Sequence, residues 1–191
     1  MNWKDEGYLL SKKNYSENSI IIDVFTFDHG KYSGIVYGGT SRKKKNIFQI
    51  GNKILIDLNS KNENSIGYFK AELLDPVSPL FFDNKKKTTC IFSATQILKI
   101  LLPDRQINKK IYKSFENLIK NFNSNDWINL YIDWELLLIK ELGFESDIQN
   151  FDNRSIKEAL IKNKNLLMQN FIIPNRLRMP IYRNILESYY N

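Results

Sequence analysis

The side chains best placed for chemistry in this 191-residue chain are four consecutive cations that follow a glycine-containing break at residues 38–41. They are Arg42, Lys43, Lys44 and Lys45. Cations on a flexible loop can reach phosphate oxygens, because no core packing holds them, and such contacts release counterions. The pattern predicts a loop that binds a polyanion. A solvated charged loop without a ligand is the alternative.

Other side chains near this loop could extend it into a nucleic-acid track. Lys12, Lys13 and Lys31 would supply further cations. Tyr32 and Tyr37 are candidates to stack on bases, which is how proteins hold single strands without sequence preference. Packing in the fold is the competing role for the tyrosines, and simple solvation is the competing role for the lysines.

The overall charge agrees with a polyanionic ligand. The chain has 28 Lys and Arg against 21 Asp and Glu, which gives a formal net charge of +7. Such a balance points to nucleic acid. The chain is also rich in Lys, Asn and Ile, a background composition that raises the isoelectric point without any binding function. The placement of the cations therefore matters more than their sum.

The sequence lacks the usual signatures of an enzyme or a zinc protein. A lone His29 and a lone Cys90 exclude a four-ligand Cys/His zinc site, and Cys90 lies in an apolar run where a buried residue is expected. Asp5 and Glu6 are adjacent and face opposite sides of a strand. No phosphate-binding or dinucleotide-binding glycine motif is present. We predict no catalytic residues, no metal and no cofactor.

The elements that would position the cations are short strands. Alternating and β-branched runs predict five of them at residues 3–13, 19–27, 32–37, 53–58 and 66–74, with a loop at 14–18 and a turn at 28–31. Closing five such strands into an antiparallel barrel removes the exposed sheet edges. An OB-fold has this size and strand count, and an SH3-like barrel is the alternative.

Helical periodicity follows the barrel. Helices are predicted at residues 88–102, 107–122, 126–142, 155–167 and 180–189, with Gly143 ending the third and Pro180 at the first position of the last. Trp127 and Trp134 recur on one face and are expected in the core. The predicted class is α+β, with a barrel domain at residues 1–79 and an all-helical domain at 80–191. No apolar run has membrane-spanning length and no secretory leader is visible, so a cytoplasmic location is predicted.

Several segments taken together resemble a known family. They are WKDEGYLL at 3–10, SIIIDVFTFDHGK at 19–31, GIVYGGTSR at 34–42, WELLL at 134–138, ELGF at 141–144 and, more weakly, MPIYR at 179–183. In this order they resemble the RecO family of bacterial DNA repair proteins. The similarity covers most of the barrel and part of the helical region.

The resemblance implies an OB-fold followed by a helical domain. It also implies a recombination mediator of the RecF pathway that binds single- and double-stranded DNA, anneals complementary strands and helps to load recombinase on coated single strands. The implied partners are RecR and the acidic C-terminal tail of the single-stranded-DNA-binding protein, and the implied location is the nucleoid. Many members carry a four-cysteine zinc site after the LGF segment, but residues 145–174 contain neither Cys nor His. No zinc is therefore expected here.

The helical region also offers a candidate partner site. Arg176, Arg178 and Arg183 stand beside an apolar helix, and an acidic peptide with an aromatic end suits a hydrophobic groove ringed by Arg. Two other functions fit the same sequence features. One is a generic OB-fold protein that acts on RNA, which strand annealing would distinguish. The other is a helical interaction protein with the barrel as scaffold, for which oligonucleotide binding would be absent or insensitive to salt.

Overall fold

A computed structural model of the chain describes residues 1–62, 65–144 and 155–190. Its first half contains all five predicted strands. They are β1 (Asn2–Ser16), β2 (Ser19–Thr26), β3 (Gly30–Tyr37), β4 (Lys53–Asn59) and β5 (Gly67–Asp75). The loop predicted at 14–18 is shorter than expected, because β1 continues to Ser16, which pairs with Ser19 at the start of β2. Only residues 17 and 18 form the turn.

The strands close into a barrel in the order β1-β2-β3-β5-β4. β1 closes the barrel by pairing with both β2 and β4 in antiparallel register. β3 and β5 pair in parallel over only two positions, Gly34 with Gly67 and Ile35 with Tyr68. The predicted OB-fold is confirmed. The parallel contact corrects the expectation of a purely antiparallel barrel, because residues 38–52 carry the chain from β3 across to β4 and leave β5 beside β3.

Strand alternation separates the barrel core from its outer face. Ile54, Ile56 and Leu58 of β4 point inward and are at most 2% exposed, as their spacing predicts. Tyr8 of β1 and Ile20, Ile22 and Val24 of β2 are buried as well. The intervening side chains of β4 and β5 point outward. This alternation presents polar and aromatic groups on the outside of the barrel.

The first helix, α1 (Lys85–Leu101), packs against the barrel. Asn84 caps its start by accepting a hydrogen bond from the Lys87 backbone, and the helix ends before Pro103. Lys99, near its end, forms an ion pair with Asp23 of β2 at 3.0 Å and donates to Ser11 of β1 at 2.8 Å. Polar contacts thus attach the last turn of α1 to two strands.

Four further helices follow. They are α2 (Lys109–Lys120), α3 (Trp127–Glu141), α4 (Ile156–Leu167) and α5 (Ile181–Ser188), with a π-helical turn (Met168–Ile172) after α4. Trp127 and Trp134 are buried as predicted, and Gly143 follows α3 with φ +97°. Pro180 is the capping residue before α5 and not its first helical residue, because its backbone is extended. None of the helices described for this chain is long and apolar enough to cross a membrane.

The chain divides into two compact units, Met1–Asn108 and Lys109–Asn191. The first unit contains the barrel and α1, and the second contains the remaining helices. A division at residues 79 and 80 would separate α1 from the strands that it contacts. Whether residues 1–79 form an independent domain stays a prediction.

Candidate nucleic-acid interface

The four cations at residues 42–45, here called the basic loop, follow β3 directly. Gly38 has φ +66°, a backbone conformation that residues other than glycine rarely adopt, and the chain turns away from the strand there. The backbone N–H groups of Lys44 and Lys45 then donate to the Ser41 carbonyl at 3.0 and 3.1 Å. Arg42, Lys43 and Lys45 are exposed, and no described carboxylate forms an ion pair with them. These three side chains are available to an anionic ligand.

The fourth cation anchors the loop. Lys44 is half-buried, and its Nζ donates to the Tyr37 carbonyl at 3.2 Å. From β1, Lys12 donates to the Phe48 carbonyl at 2.6 Å. Burial lowers the pKa of Lys12, and repulsion by Lys45 lowers this pKa further, so the two cations lie close together. Lys13 is exposed next to Lys12. The structure therefore brings Lys12 to the basic loop.

Lys31 is placed differently. Its Nζ donates to the Lys99 carbonyl at 2.7 Å and pairs with Asp104 at 3.1 Å, and its side chain is only 13% exposed. It lies near the start of β3, while the basic loop follows the end of that strand, roughly 20 Å away. The expectation that Lys31 extends the track is corrected by this placement. The ammonium group holds α1 and the following segment to the barrel.

An exposed aromatic pair lies beside the loop. Tyr37, at the end of β3, is 60% exposed and stacks on Tyr68 of β5, which is 42% exposed. Their ring centroids are 4.9 Å apart with an interplanar angle of 18°. A hydrogen bond with Tyr68 raises the pKa of Tyr37 above its ordinary value. Tyr32, in contrast, is buried against Trp3, which confirms that it packs in the fold.

A cavity of about 530 Å³ opens next to this pair. It forms on the outside of the barrel, where β3 ends while β5 continues alongside β4. Its lining includes Tyr37, Tyr68, Lys44, Lys70, Asp57 and Asn59. Sequence reasoning missed Tyr68, Lys70 and the two β4 residues. The alternation of inward and outward residues along β4 and β5 was visible in the sequence. The parallel pairing of β3 with β5, which sets Tyr68 beside Tyr37, joins distant segments and was not.

Arg183 is not available to a partner. It is fully buried, with Nε at 2.5 Å and Nη2 at 3.1 Å from the two carboxylate oxygens of Glu135, and Nη2 also donates to the Leu160 carbonyl at 2.7 Å. The expectation that it belongs to an exposed ring of cations is wrong. A guanidinium placed in a low-dielectric interior needs a carboxylate, and the WELLL segment supplies one. Arg176 and Arg178 are exposed, and their partner-binding role stays a prediction.

No group of three or more His, Cys, Asp or Glu side chains with metal-binding geometry occurs among residues 1–62, 65–144 and 155–190. The segment for which the resemblance raised the question of zinc is residues 145–174, of which 145–154 lie outside the described residues. The side chains around the cavity include cations, aromatic rings, amides and carboxylates.

Comparison with known proteins agrees with these features. The family model described as "Recombination protein O N terminal" matches residues 1–77, and the one described as "Recombination protein O C terminal" matches residues 84–150. A DNA repair protein RecO from Wolbachia pipientis subsp. Culex pipiens is 33% identical over 162 residues, which cover 84% of this chain and 66% of that protein.

A second relative, the DNA repair protein RecO of Rickettsia africae, is 36% identical over 148 residues, or 78% of this chain and 62% of that protein. The DNA repair protein RecO of Ruegeria sp. is 32% identical over 149 residues, which also cover 78% of this chain and 62% of that protein. The chain thus spans slightly less than two thirds of the length of these curated relatives. The N-terminal family model matches the residues that form the barrel, and the C-terminal model matches residues of the helical region that follows. The chain therefore belongs to the RecO family of DNA repair proteins.

Proposed function

We propose that this protein binds single- and double-stranded DNA through the outer face of its barrel and anneals complementary strands during DNA repair and recombination. The observation that carries the proposal is the basic loop, in which Arg42, Lys43 and Lys45 are exposed and unpaired with described carboxylates, directly beside the exposed Tyr37 and Tyr68 rings. Membership of a family of DNA repair proteins supports it.

The mechanism follows from the two kinds of group. Cations bind the phosphates of both single- and double-stranded DNA, since both carry the same backbone charge. Neutralising that charge reduces the repulsion between two approaching strands. Aromatic rings hold unpaired bases in a stacked, accessible arrangement. Annealing then needs no covalent chemistry and no cofactor, and the protein would act without catalytic residues.

The wider role extends this proposal. In cells the protein would help to load recombinase on coated single strands in the RecF pathway, at the nucleoid, and RecR would be a partner. The acidic tail of the single-stranded-DNA-binding protein would contact the helical unit near Arg176 and Arg178. Exposed Ile173 and Ile181 lie close to these cations in sequence and offer apolar contact.

The direct test is fluorescence anisotropy of a labelled single-stranded oligonucleotide at several salt concentrations. The variant Arg42→Glu/Lys43→Glu/Lys45→Glu should bind much more weakly at low salt. Loss of three phosphate contacts should also reduce the salt slope, d log K/d log[salt], by about 2. Strand annealing measured with a fluorophore and quencher pair should fall in parallel.

A matched control is Lys113→Glu/Lys140→Glu/Lys157→Glu, which makes the same change in net charge on exposed residues of the helical unit. It should bind nearly as the unchanged protein does. If both variants lose affinity equally, net charge and not the basic loop drives binding. Absence of salt-dependent binding by the unchanged protein at low salt would contradict the proposed function itself.

A further inference from the structure

We propose that the cavity beside Tyr37 and Tyr68 receives one unpaired nucleobase and thereby makes this face of the barrel select single strands over duplex. The inference rests on the proposed function and adds a specificity-determining site to it. The basic loop would bind the phosphates of any strand, while the stacked tyrosines and the cavity would recognise a base that is out of a helix.

The first observation is the exposure of the tyrosine pair. Sheets usually bury large aromatic rings or pack them against neighbours, yet Tyr37 and Tyr68 lie on the outer face at 60% and 42% exposure. They stack on each other at 4.9 Å and so present a rigid, preformed ring surface. A preformed surface loses little conformational freedom when a base stacks on it.

The second observation is the space next to the rings. The cavity of about 530 Å³ falls within the range of about 300–1,000 Å³ that is typical of small-molecule sites. Its wall is polar where a base edge would lie, because the register of β4 and β5 sets Asn59 opposite Tyr68 and Asp57 opposite Lys70. Amide and carboxylate oxygens accept hydrogen bonds from base amino groups.

The third observation is the position of the cations around the cavity. Lys44 and Lys70 both line it. Lys44 also donates to the Tyr37 carbonyl, which ties the basic loop to the aromatic pair. A strand whose phosphates follow the loop would therefore carry its bases to the rings. This continuity distinguishes the cavity from an isolated surface depression.

Duplex DNA could not use such a site without cost. A paired base has both faces covered by its neighbours, and it must leave the stack to reach the tyrosines. An unpaired strand pays little of this cost, since its bases are already free to turn outward. The site would thus add affinity for single strands and leave duplex binding to the cations.

The test compares three probes on the same protein. They are a single strand with 2-aminopurine at one position, a duplex of the same sequence and an abasic strand of equal length. Tyr37→Leu/Tyr68→Leu keeps apolar bulk but removes the rings. It should lose roughly 5- to 150-fold in affinity for the base-containing strand, the equivalent of one stacked base, with duplex and abasic affinities unchanged within about twofold. The unchanged protein should also alter 2-aminopurine fluorescence on binding.

Phe82→Ala is the matched control, because Phe82 is also 60% exposed in the same unit but does not line the cavity. It should bind all three probes as the unchanged protein does. The inference is overturned if the tyrosine variant binds the base-containing strand normally, or if it loses single-strand and duplex affinity equally. Those results would leave the proposed function standing. Failure of the unchanged protein to bind any probe would overturn both.

Discussion

At the residue scale, charged side chains of the barrel unit fall into those that hold the fold and those that face solvent. Asp23 belongs to the first group. Its carboxylate accepts hydrogen bonds from the Ser11 hydroxyl at 2.5 Å and the Ser33 hydroxyl at 2.6 Å. It also forms an ion pair with Lys99 at 3.0 Å, and its side chain is 17% exposed. Burial raises the pKa of Asp23, but these donors outweigh burial and leave the pKa below its ordinary value.

This arrangement predicts a pH-dependent contribution to stability. Because the folded pKa of Asp23 lies below the unfolded one, its contribution is fully present above the ordinary value of about 3.9 and is lost as pH falls through the folded pKa. Asp23→Asn should lower the free energy of unfolding by about 1–3 kcal/mol near neutral pH. Urea unfolding should show this difference shrinking below about pH 4.

Asp57→Asn is the comparison, since Asp57 is an exposed carboxylate on β4. Its effect on the free energy of unfolding should be small at every pH. A difference between Asp23→Asn and the unchanged protein that stays constant from neutral to strongly acidic pH would show that the Asp23 charge is not what stabilises the fold.

At the scale of elements, one buried ion pair joins three helices of the second unit. Glu135 of α3 bonds Arg183 of α5, and it also accepts hydrogen bonds from Tyr131 at 2.7 Å and Asn163 of α4 at 3.3 Å. Burial disfavours the charged form of Arg183, but Glu135, Tyr131 and Glu187 together outweigh burial and hold the pKa of Arg183 above its ordinary value. Arg183 is therefore held as a cation, and the hydrogen bonds that converge on Glu135 link α3, α4 and α5.

Removing one partner should be costly. Arg183→Met leaves a buried carboxylate without its cation, and we expect a loss of about 3–5 kcal/mol in the free energy of unfolding. Glu135→Gln/Arg183→Met should be more stable than this single variant, because Gln is neutral and still accepts from Tyr131 and Asn163. Urea unfolding followed by circular dichroism gives both values. A double variant that is less stable than Arg183→Met would contradict this account.

At the scale of the whole molecule, the contacts of α1 decide where the barrel unit ends. Ile91 packs close to Gly51, and Lys99 reaches Asp23 and Ser11. The Lys31 ammonium donates to the Lys99 carbonyl. These contacts group α1 with the strands in the unit Met1–Asn108.

Two fragments test the division. Residues 1–108 should unfold cooperatively, with Trp3, the lone tryptophan of that fragment, as the fluorescence probe. Residues 1–79 should unfold at lower urea concentration or fail to fold, because the apolar surface under Ile91 becomes exposed and the Asp23 carboxylate loses its ion pair with Lys99. Equal unfolding midpoints for the two fragments would instead establish the domain boundary near residue 79 that the strand pattern predicts.

The sequence alone determined the local features of this protein. Alternation in β4, the turn at Gly30 and the glycine after α3 depend on residues close together in the chain, and so the five strands and five helices could be predicted within a few residues. The run of cations at 42–45 was also visible as a loop, because nothing apolar interrupts it. The family resemblance depended on local segments in order.

Tertiary structure decided which of the predicted site residues act together. Lys31 and Lys44 look alike in sequence, yet one holds α1 and the other ties the basic loop to Tyr37. Arg183 resembles its exposed neighbours, but it is paired with Glu135, 48 residues away. Tyr68 meets Tyr37 only because β3 and β5 pair in parallel. Each of these outcomes depends on contacts between distant segments, which local pattern does not encode.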